Sequence, residues 1–224
     1  RAPQSQLDVD GHPQRGGFLP PIPFPRRMFA GSRLRFHRPL ALGRPAERVA
    51  TIADVSLKSG RSGSLAFVTV ALRFEQDGAL CIEEEQQIVY REPGAPVPAP
   101  AVLDWPALTD GATARIVAPD PRLLFRFSAL TFNAHRIHYD RDYAAREEGY
   151  PGLVVHGPLT AMLLIEEARR ASQSPIVGFS FRGQAPLFDL APIRLVAIPA
   201  GNEVKLEAQR SDGQVALAAT AELG

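Results

Sequence analysis

Residues 157–172 run Gly157-Pro158-Leu159-Thr160-Ala161-Met162-Leu163-Leu164-Ile165-Glu166-Glu167-Ala168-Arg169-Arg170-Ala171-Ser172, and the architecture follows from how this run is interpreted. Pro158 falls in what would be a first helical turn, where its missing N–H costs nothing. Leu159, Met162, Leu163, Ile165 and Ala168 spread apolar surface broadly around the cylinder, so a helix here is buried over most of its first two turns. Glu166, Glu167, Arg169 and Arg170 form its polar side, and the basic pair suits the C-terminal end of the helix dipole. Such a helix needs a sheet around it. Period-two runs over 176–181, 193–198, 204–209 and 214–221 supply strands, separated by turn-forming Pro199-Ala200-Gly201-Asn202 and Ser211-Asp212-Gly213. One buried helix followed by a strongly twisted antiparallel sheet is an α+β layout in which the sheet wraps the helix.

Upstream, a similar sheet is expected without an evident helix. Apolar and polar residues alternate from Arg48 to Tyr90, with breaks at Ser59, Gly60 and Gly63 and at Asp77-Gly78, a strong hairpin signal. Short strands are also expected over 113–117 and 123–127. Five prolines from Pro13 to Pro25 exclude a regular helix or central strand and give an extended lead-in. Pro93, Pro96, Pro98, Pro100 and Pro106 mark a semi-rigid linker. The chain therefore divides into an N-terminal half (1–91), a linker (92–108) and a C-terminal half (109–224), an arrangement that suggests duplication.

Composition narrows the function classes. With 224 residues and 45% hydrophobic content the chain can bury a real core. Its 25 basic and 24 acidic residues leave a net charge of +1, against a dedicated nucleic-acid binder. The one cysteine, Cys81, cannot form an intramolecular disulfide, and no Cys/His spacing matches a structural zinc site, so a reducing compartment and no metal are expected. No run approaches the roughly 20 apolar residues of a membrane span, and the expectation is a cytoplasmic protein, or a mitochondrial one in a eukaryote, without membrane partners.

Chemistry concentrates where His135, His138 and His156 fall close together in a loop of mixed polarity. Asp140 is placed to cap a short helix through Glu147, ended by Gly149. A neutral imidazole takes and returns a proton near physiological pH, and the unpaired N–H of Gly157 at a helix N-terminus can bind a carbonyl oxygen gaining negative charge. His138 with Gly157 thus suits proton chemistry beside a thioester or ketone. His12 and His37 take structural or solvent roles by default, and Arg26-Arg27 a structural or rim role. Lys58-Ser59-Gly60-Arg61-Ser62-Gly63 lacks the P-loop pattern and reads as a hairpin.

The string Asn133 to His138 with Asp140, Tyr143-Ala144, Gly149-Tyr150-Pro151-Gly152 and His156-Gly157-Pro158-Leu159 resembles the hydratase signature of the MaoC-like hot-dog family. It is most similar to the branch of 3-hydroxyacyl-thioester dehydratase type 2 and of the mesaconyl-C4-CoA and itaconyl-CoA hydratases. Pro25 to Gly31, Lys58 to Gly63, Val89 to Glu92 and Phe181 to Phe188 look like that branch too, so the resemblance covers nearly the whole chain. It implies a double hot-dog fold whose N-terminal half has lost its own site. It also implies reversible hydration of an enoyl thioester, with coenzyme A or phosphopantetheine as part of the substrate and no separate cofactor.

The family motif is Asp-x-Asn-Pro-(Leu/Ile)-His, in which aspartate and histidine hold the water. Here Asn133 stands at the aspartate position and His135 at the asparagine position. The resemblance leaves His138 as general acid/base, Asn133 as water orienter and Gly157 N–H as oxyanion donor. Asp140 or His135 remain open as the source of the missing carboxylate or second imidazole. Ser128, His135, Arg182 and His156 are expected to contact substrate. Arg126, Arg136 and Arg182 would suit a short dicarboxylic acyl group. The competing expectations are an acyl-carrier-protein dehydratase, a thioesterase and a noncatalytic acyl-CoA binding module. Monomer and homodimer both remain open, because a double hot-dog can satisfy its sheet pairing internally.

Overall fold

The computed structural model describes residues 2–60, 63–101 and 104–224. The expected period-two runs of the first half form β2 (Glu47–Gly60), β3 (Gly63–Gln76) and β4 (Ala79–Arg91), an antiparallel meander. Asp77, with φ 55°, and Gly78, with φ 72°, make the β3–β4 turn, as their sequence predicts. Arg61 and Ser62 of the β2–β3 hairpin lie outside the described residues. The second half carries β5 (Thr113–Val117), α1 (Pro121–Thr131), α2 (Arg141–Arg146), α3 (Gly157–Ala171), β6 (Ile176–Gly183), β7 (Ile193–Ala200), β8 (Glu203–Gln209) and β9 (Val215–Leu223).

One strand absent from the sequence expectations, β1 (Arg26–Phe36), joins the halves. It pairs antiparallel with β4 on one side and β6 on the other, making one nine-stranded sheet in the order β2-β3-β4-β1-β6-β9-β8-β7-β5. α3 lies across β6 to β9, and Leu159, Leu164 and Ala168 pack onto Leu195, Val204, Leu206 and Ala219. Leu164 is fully buried, so its truncation to Ala falls in the class that costs about 2–5 kcal/mol. Two helix positions depart from the expected faces. Met162 is exposed, whereas Glu167 is buried and paired with Arg115 at 2.7 Å.

Residues 123–127 are helical, not a strand. Asp120 caps α1 by accepting from Leu123 N at 2.9 Å, Pro121 occupies its first turn, and Leu124 with Ser128, one turn apart, face inward. A short apolar run does not by itself distinguish the two periods.

No α-helix covers the N-terminal sheet among the described residues. Leu19, Ile22 and Phe24 of the lead-in instead pack on Val68, Val70, Leu72 and Tyr90. The described part of the 92–108 segment has no regular structure, yet it is pinned to the second half. Pro106 O accepts from Arg194, and Trp105 Nε1 donates to Arg210 O, both at 2.7 Å.

Candidate active site

The loop between α1 and α3 is shaped by its own sequence. Asp140 accepts from Tyr143 N at 3.0 Å and caps α2 as expected, while Gly149, with φ 70°, turns the chain back. Asp189, almost wholly buried, pairs with Arg141 and accepts from Leu153 N, tying the loop to the β6–β7 connection. Val154 N donates to Ile137 O at 3.0 Å, which brings His138 beneath the start of α3.

His138 is 8% exposed, and its Nδ1 lies 2.7 Å from Val154 O. A carbonyl oxygen only accepts, so Nδ1 carries the proton and Nε2 keeps a free lone pair. Burial lowers its pKa to about 4, so the ring is neutral at pH 7 and available as a base. His156 stacks on it with centroids 3.7 Å apart, and burial with the neighbouring His138 charge lowers its pKa to about 3.

His156 is fully buried and does not line the cavity; its place is behind His138, rather than against substrate as expected. Its Nε2 lies 2.8 Å from Ser128 Oγ and its Nδ1 has no partner among the described residues. An orphaned buried N–H is rarer than an orphaned acceptor. The proton therefore belongs on Nε2, which donates to Ser128 and leaves the Ser128 hydroxyl proton free for the cavity that Ser128 lines.

That cavity has a volume of about 1590 Å³ and draws on both halves of the chain. Asn133, His135, His138 and Gly157 line it, as expected. Asn133 Oδ1 accepts from His135 N at 3.1 Å, which leaves its amide NH₂ to donate. Gly157 N–H sits in the first turn of α3 without an intrahelical acceptor, and a Cβ added there would meet only Phe29 O at 4.0 Å. Two candidates stand outside this lining, Arg182, expected to contact substrate, and Asp140, one of two open sources of a carboxylate or second imidazole. Arg182 is exposed and outside the cavity lining, because it extends from the end of β6. Asp140 is occupied by Tyr143 N and by Arg136, 2.8 Å away, so it supplies no carboxylate to the site.

The carboxylate nearest the imidazoles comes from the lead-in. His12 Nδ1 lies 3.0 Å from Asp10 Oδ2, and the His12 ring lies against His135 with centroids 3.9 Å apart. Burial raises the Asp10 pKa, but bonding and charge from His12 outweigh it and hold the carboxyl well below its usual range. Burial drives His135 down to about 2, helped by His12 and His138, and lowers His12 despite Asp10. Sequence reasoning assigned His12 a default structural or solvent role. Only docking of the lead-in reveals it: Asp10 O accepts from Arg136 N at 2.9 Å. Asp10, His12 and His135 also hold their ligand atoms within 4.8 Å of one another, a donor set that fits a divalent cation.

A family model for hydroxyacyl-thioester dehydratase type 2 matches residues 1–189. The chain belongs to the hydroxyacyl-thioester dehydratase type 2 family. It is 69% identical to a mesaconyl-C(4)-CoA hydratase of Chloroflexus aurantiacus, over 100% of this chain and 80% of that one. It is 31% identical to the mitochondrial hydroxyacyl-thioester dehydratase type 2 of Schizosaccharomyces pombe, over 90% of this chain and 75% of that one. Among solved structures, a MaoC-like dehydratase superposes with TM-score 0.72 at 15% identity, covering 91% of this chain and 77% of its own. A Mycobacterium tuberculosis protein described as a double hotdog fold superposes with TM-score 0.56 at 16% identity, covering 90% and 76%. The fold is thus the α+β double hot-dog, and this family member is a hydro-lyase acting on thioesters of the enoyl and 3-hydroxyacyl type.

Proposed function

We propose that this chain adds water to a short dicarboxylic enoyl-CoA of the mesaconyl-C4 type, using His138 as the acid/base and requiring no metal. The observation that carries the reading is the pairing, in one cavity, of the free Nε2 of His138 with the unpaired N–H of Gly157. In hydration, His138 Nε2 takes a proton from water as the hydroxide oxygen bonds to Cβ. The electron pair of the double bond moves onto the thioester as an enolate, whose oxygen receives the Gly157 N–H and the Ser128 hydroxyl. The imidazolium then returns its proton to Cα, so one water is added and the base is restored. Asn133 contributes its amide NH₂ to orient the water. Dehydration is the reverse.

The C. aurantiacus relative, at 69% identity, supports the acyl group and the coenzyme A carrier. A panel of enoyl-CoA esters, followed by the absorbance of the conjugated thioester, tests the assignment. Mesaconyl-C4-CoA is expected to be hydrated, and His138→Ala to lose about 10² to 10⁴ in kcat. Release of free thiol in place of loss of conjugation would make the chain a thioesterase. Turnover confined to the acyl-carrier-protein ester would move it to the carrier-protein dehydratases, and CoA binding without turnover would make it a binding module.

A further inference from the structure

We propose that Arg27, from the N-terminal half, binds the free carboxylate of the acyl group and so selects dicarboxylic over simple enoyl thioesters. This rests on the hydratase reading of the site and assigns it a substrate-selecting cation.

Among the described residues the cavity presents three arginines, Arg27, Arg91 and Arg136. Arg136 is paired with Asp140 at 2.8 Å and donates to Val9 O, so its charge is neutralised. Arg91, opposite Arg26 in the β1–β4 ladder, also lines the cavity and has a buried Nε without a partner among the described residues, but its charge acts on Glu148, which it favours in the ionised form. Arg27 lies opposite Tyr90, with Phe29 and Ile88 next along the same face, and Phe29 and Ile88 line the cavity with it. Arg27 is half-buried and has no hydrogen bond or ion pair among the described residues. Its charge reaches His12 and His135, where it opposes protonation.

A half-buried guanidinium facing a cavity without a counter-ion calls for an anion from the ligand, because unpaired charge away from water is costly. The Asp10 carboxylate is turned to His12, and no carboxylate forms an ion pair with Arg27 among the described residues. The position decides which anion. Arg27 acts on the same imidazole cluster that contains His138, at the reacting end of the acyl group, whereas a long pantetheine arm separates the thioester from the CoA phosphates. In a mesaconyl-C4 ester the carboxylate is attached to Cβ, the carbon that accepts hydroxide. A cation there holds the acyl group in register and offsets the repulsion between carboxylate and incoming oxygen.

The test compares Arg27→Met and Arg27→Lys with the parent protein on mesaconyl-C4-CoA and crotonyl-CoA, which share the reacting double bond and differ in the carboxylate. Arg27→Met is expected to lower the ratio of kcat/KM for the carboxylated over the uncarboxylated ester by about 30-fold or more, as for loss of one partner of a buried charge pair. Arg27→Lys is expected to restore part of that loss. Equal losses on both esters, or none, would overturn the proposal. The same comparison with the acyl-pantetheine esters, which carry no phosphate, separates the two anion sources. A defect that vanishes there assigns Arg27 to a CoA phosphate and also overturns it. Calorimetric titration gives an arm independent of turnover: Arg27→Met must bind mesaconyl-C4-CoA more weakly while crotonyl-CoA affinity changes less. If the parent protein hydrates neither ester, the hydratase reading fails and the binding comparison still decides the carboxylate site.

Discussion

The imidazole of His156 lies flat against that of His138, with 3.7 Å between centroids and 18° between planes. The stack fixes the orientation of His138 from behind, while the Val154 carbonyl fixes its tautomer from the side. Both rings remain neutral because burial disfavours each charge, and a second imidazolium in the stack would face the first.

The pH dependence follows in sign. An unfolded histidine binds its proton near pH 6.5, whereas His138 in the fold resists protonation until about pH 4. Between those values the unfolded chain holds more protons, so stability is present above pH 6.5 and is lost as pH falls toward 4. His138 alone accounts for about 3 kcal/mol across that window. Thermal melts from pH 7.5 to 4.5 should show Tm falling on the acid side. A Tm that holds or rises through this range would contradict the buried neutral stack.

Gly157→Ala separates stability from catalysis. The added Cβ meets only Phe29 O, at ordinary contact distance, and helix backbone favours Ala over Gly, so stability should hold or rise by about 0.4–1 kcal/mol. The same methyl group enters the space in front of the N–H that receives the enolate oxygen. Hydration is expected to fall by about 10² or more in kcat, the loss typical of a disabled oxyanion donor. Parallel melts and kcat measurements check it, and an active, stable variant would remove Gly157 N–H from the mechanism.

The parts legible in sequence were those whose determinants are local. Pro158 and the apolar positions of α3, the Asp140 cap and the Gly149 turn all specify their structure within a few residues. β1 escaped because Arg26, Arg27, Arg33 and Arg35 obscure its alternation, and its pairing with β4 and β6 depends on remote partners. The local chemistry of 123–127 lay in Asp120 and Pro121, outside the apolar run itself. His138, Asn133, His135 and Gly157 were visible as a motif and share one cavity. His12 was not, because nothing near it in sequence reveals its contact with His135. Of the arginines singled out beside the motif, Arg126 and Arg182 are exposed and outside the cavity lining and Arg136 is paired with Asp140, while Arg27, whose charge reaches His12 and His135, comes from the other half.

Metal removal tests the imidazole cluster. Asp10, His12 and His135 have the donor types for a divalent cation, but Asp10 already bonds His12, and Arg27 adds positive charge to the same cavity. Hydration should be unchanged after treatment with a strong chelator and gel filtration. Loss of activity that a divalent ion restores would instead make this cluster a metal centre.

Gly11 controls whether the lead-in can reach the site. Its φ is 87°, and a Cβ there would stand 1.7 Å from Ala134 O, a backbone atom that cannot rotate away. Gly11→Ala therefore forces the lead-in off the loop, breaking the Arg136 N–H bond to Asp10 O and withdrawing His12 from His135. Gly16, with φ 82°, gives the control, since a Cβ there meets only Pro21 Cβ at 3.8 Å and adds roughly 1–2 kcal/mol of backbone strain without a collision. The Leu195 and Leu206 core is remote from both changes, so circular dichroism should report a folded sheet in each variant. Limited proteolysis within the first 13 residues should accelerate in Gly11→Ala far more than in Gly16→Ala, with kcat/KM falling in the same order. Equal protease resistance would show that the Gly11 collision does not displace the lead-in, and equal activity despite faster cleavage of Gly11→Ala would show that His12 contributes nothing to the site.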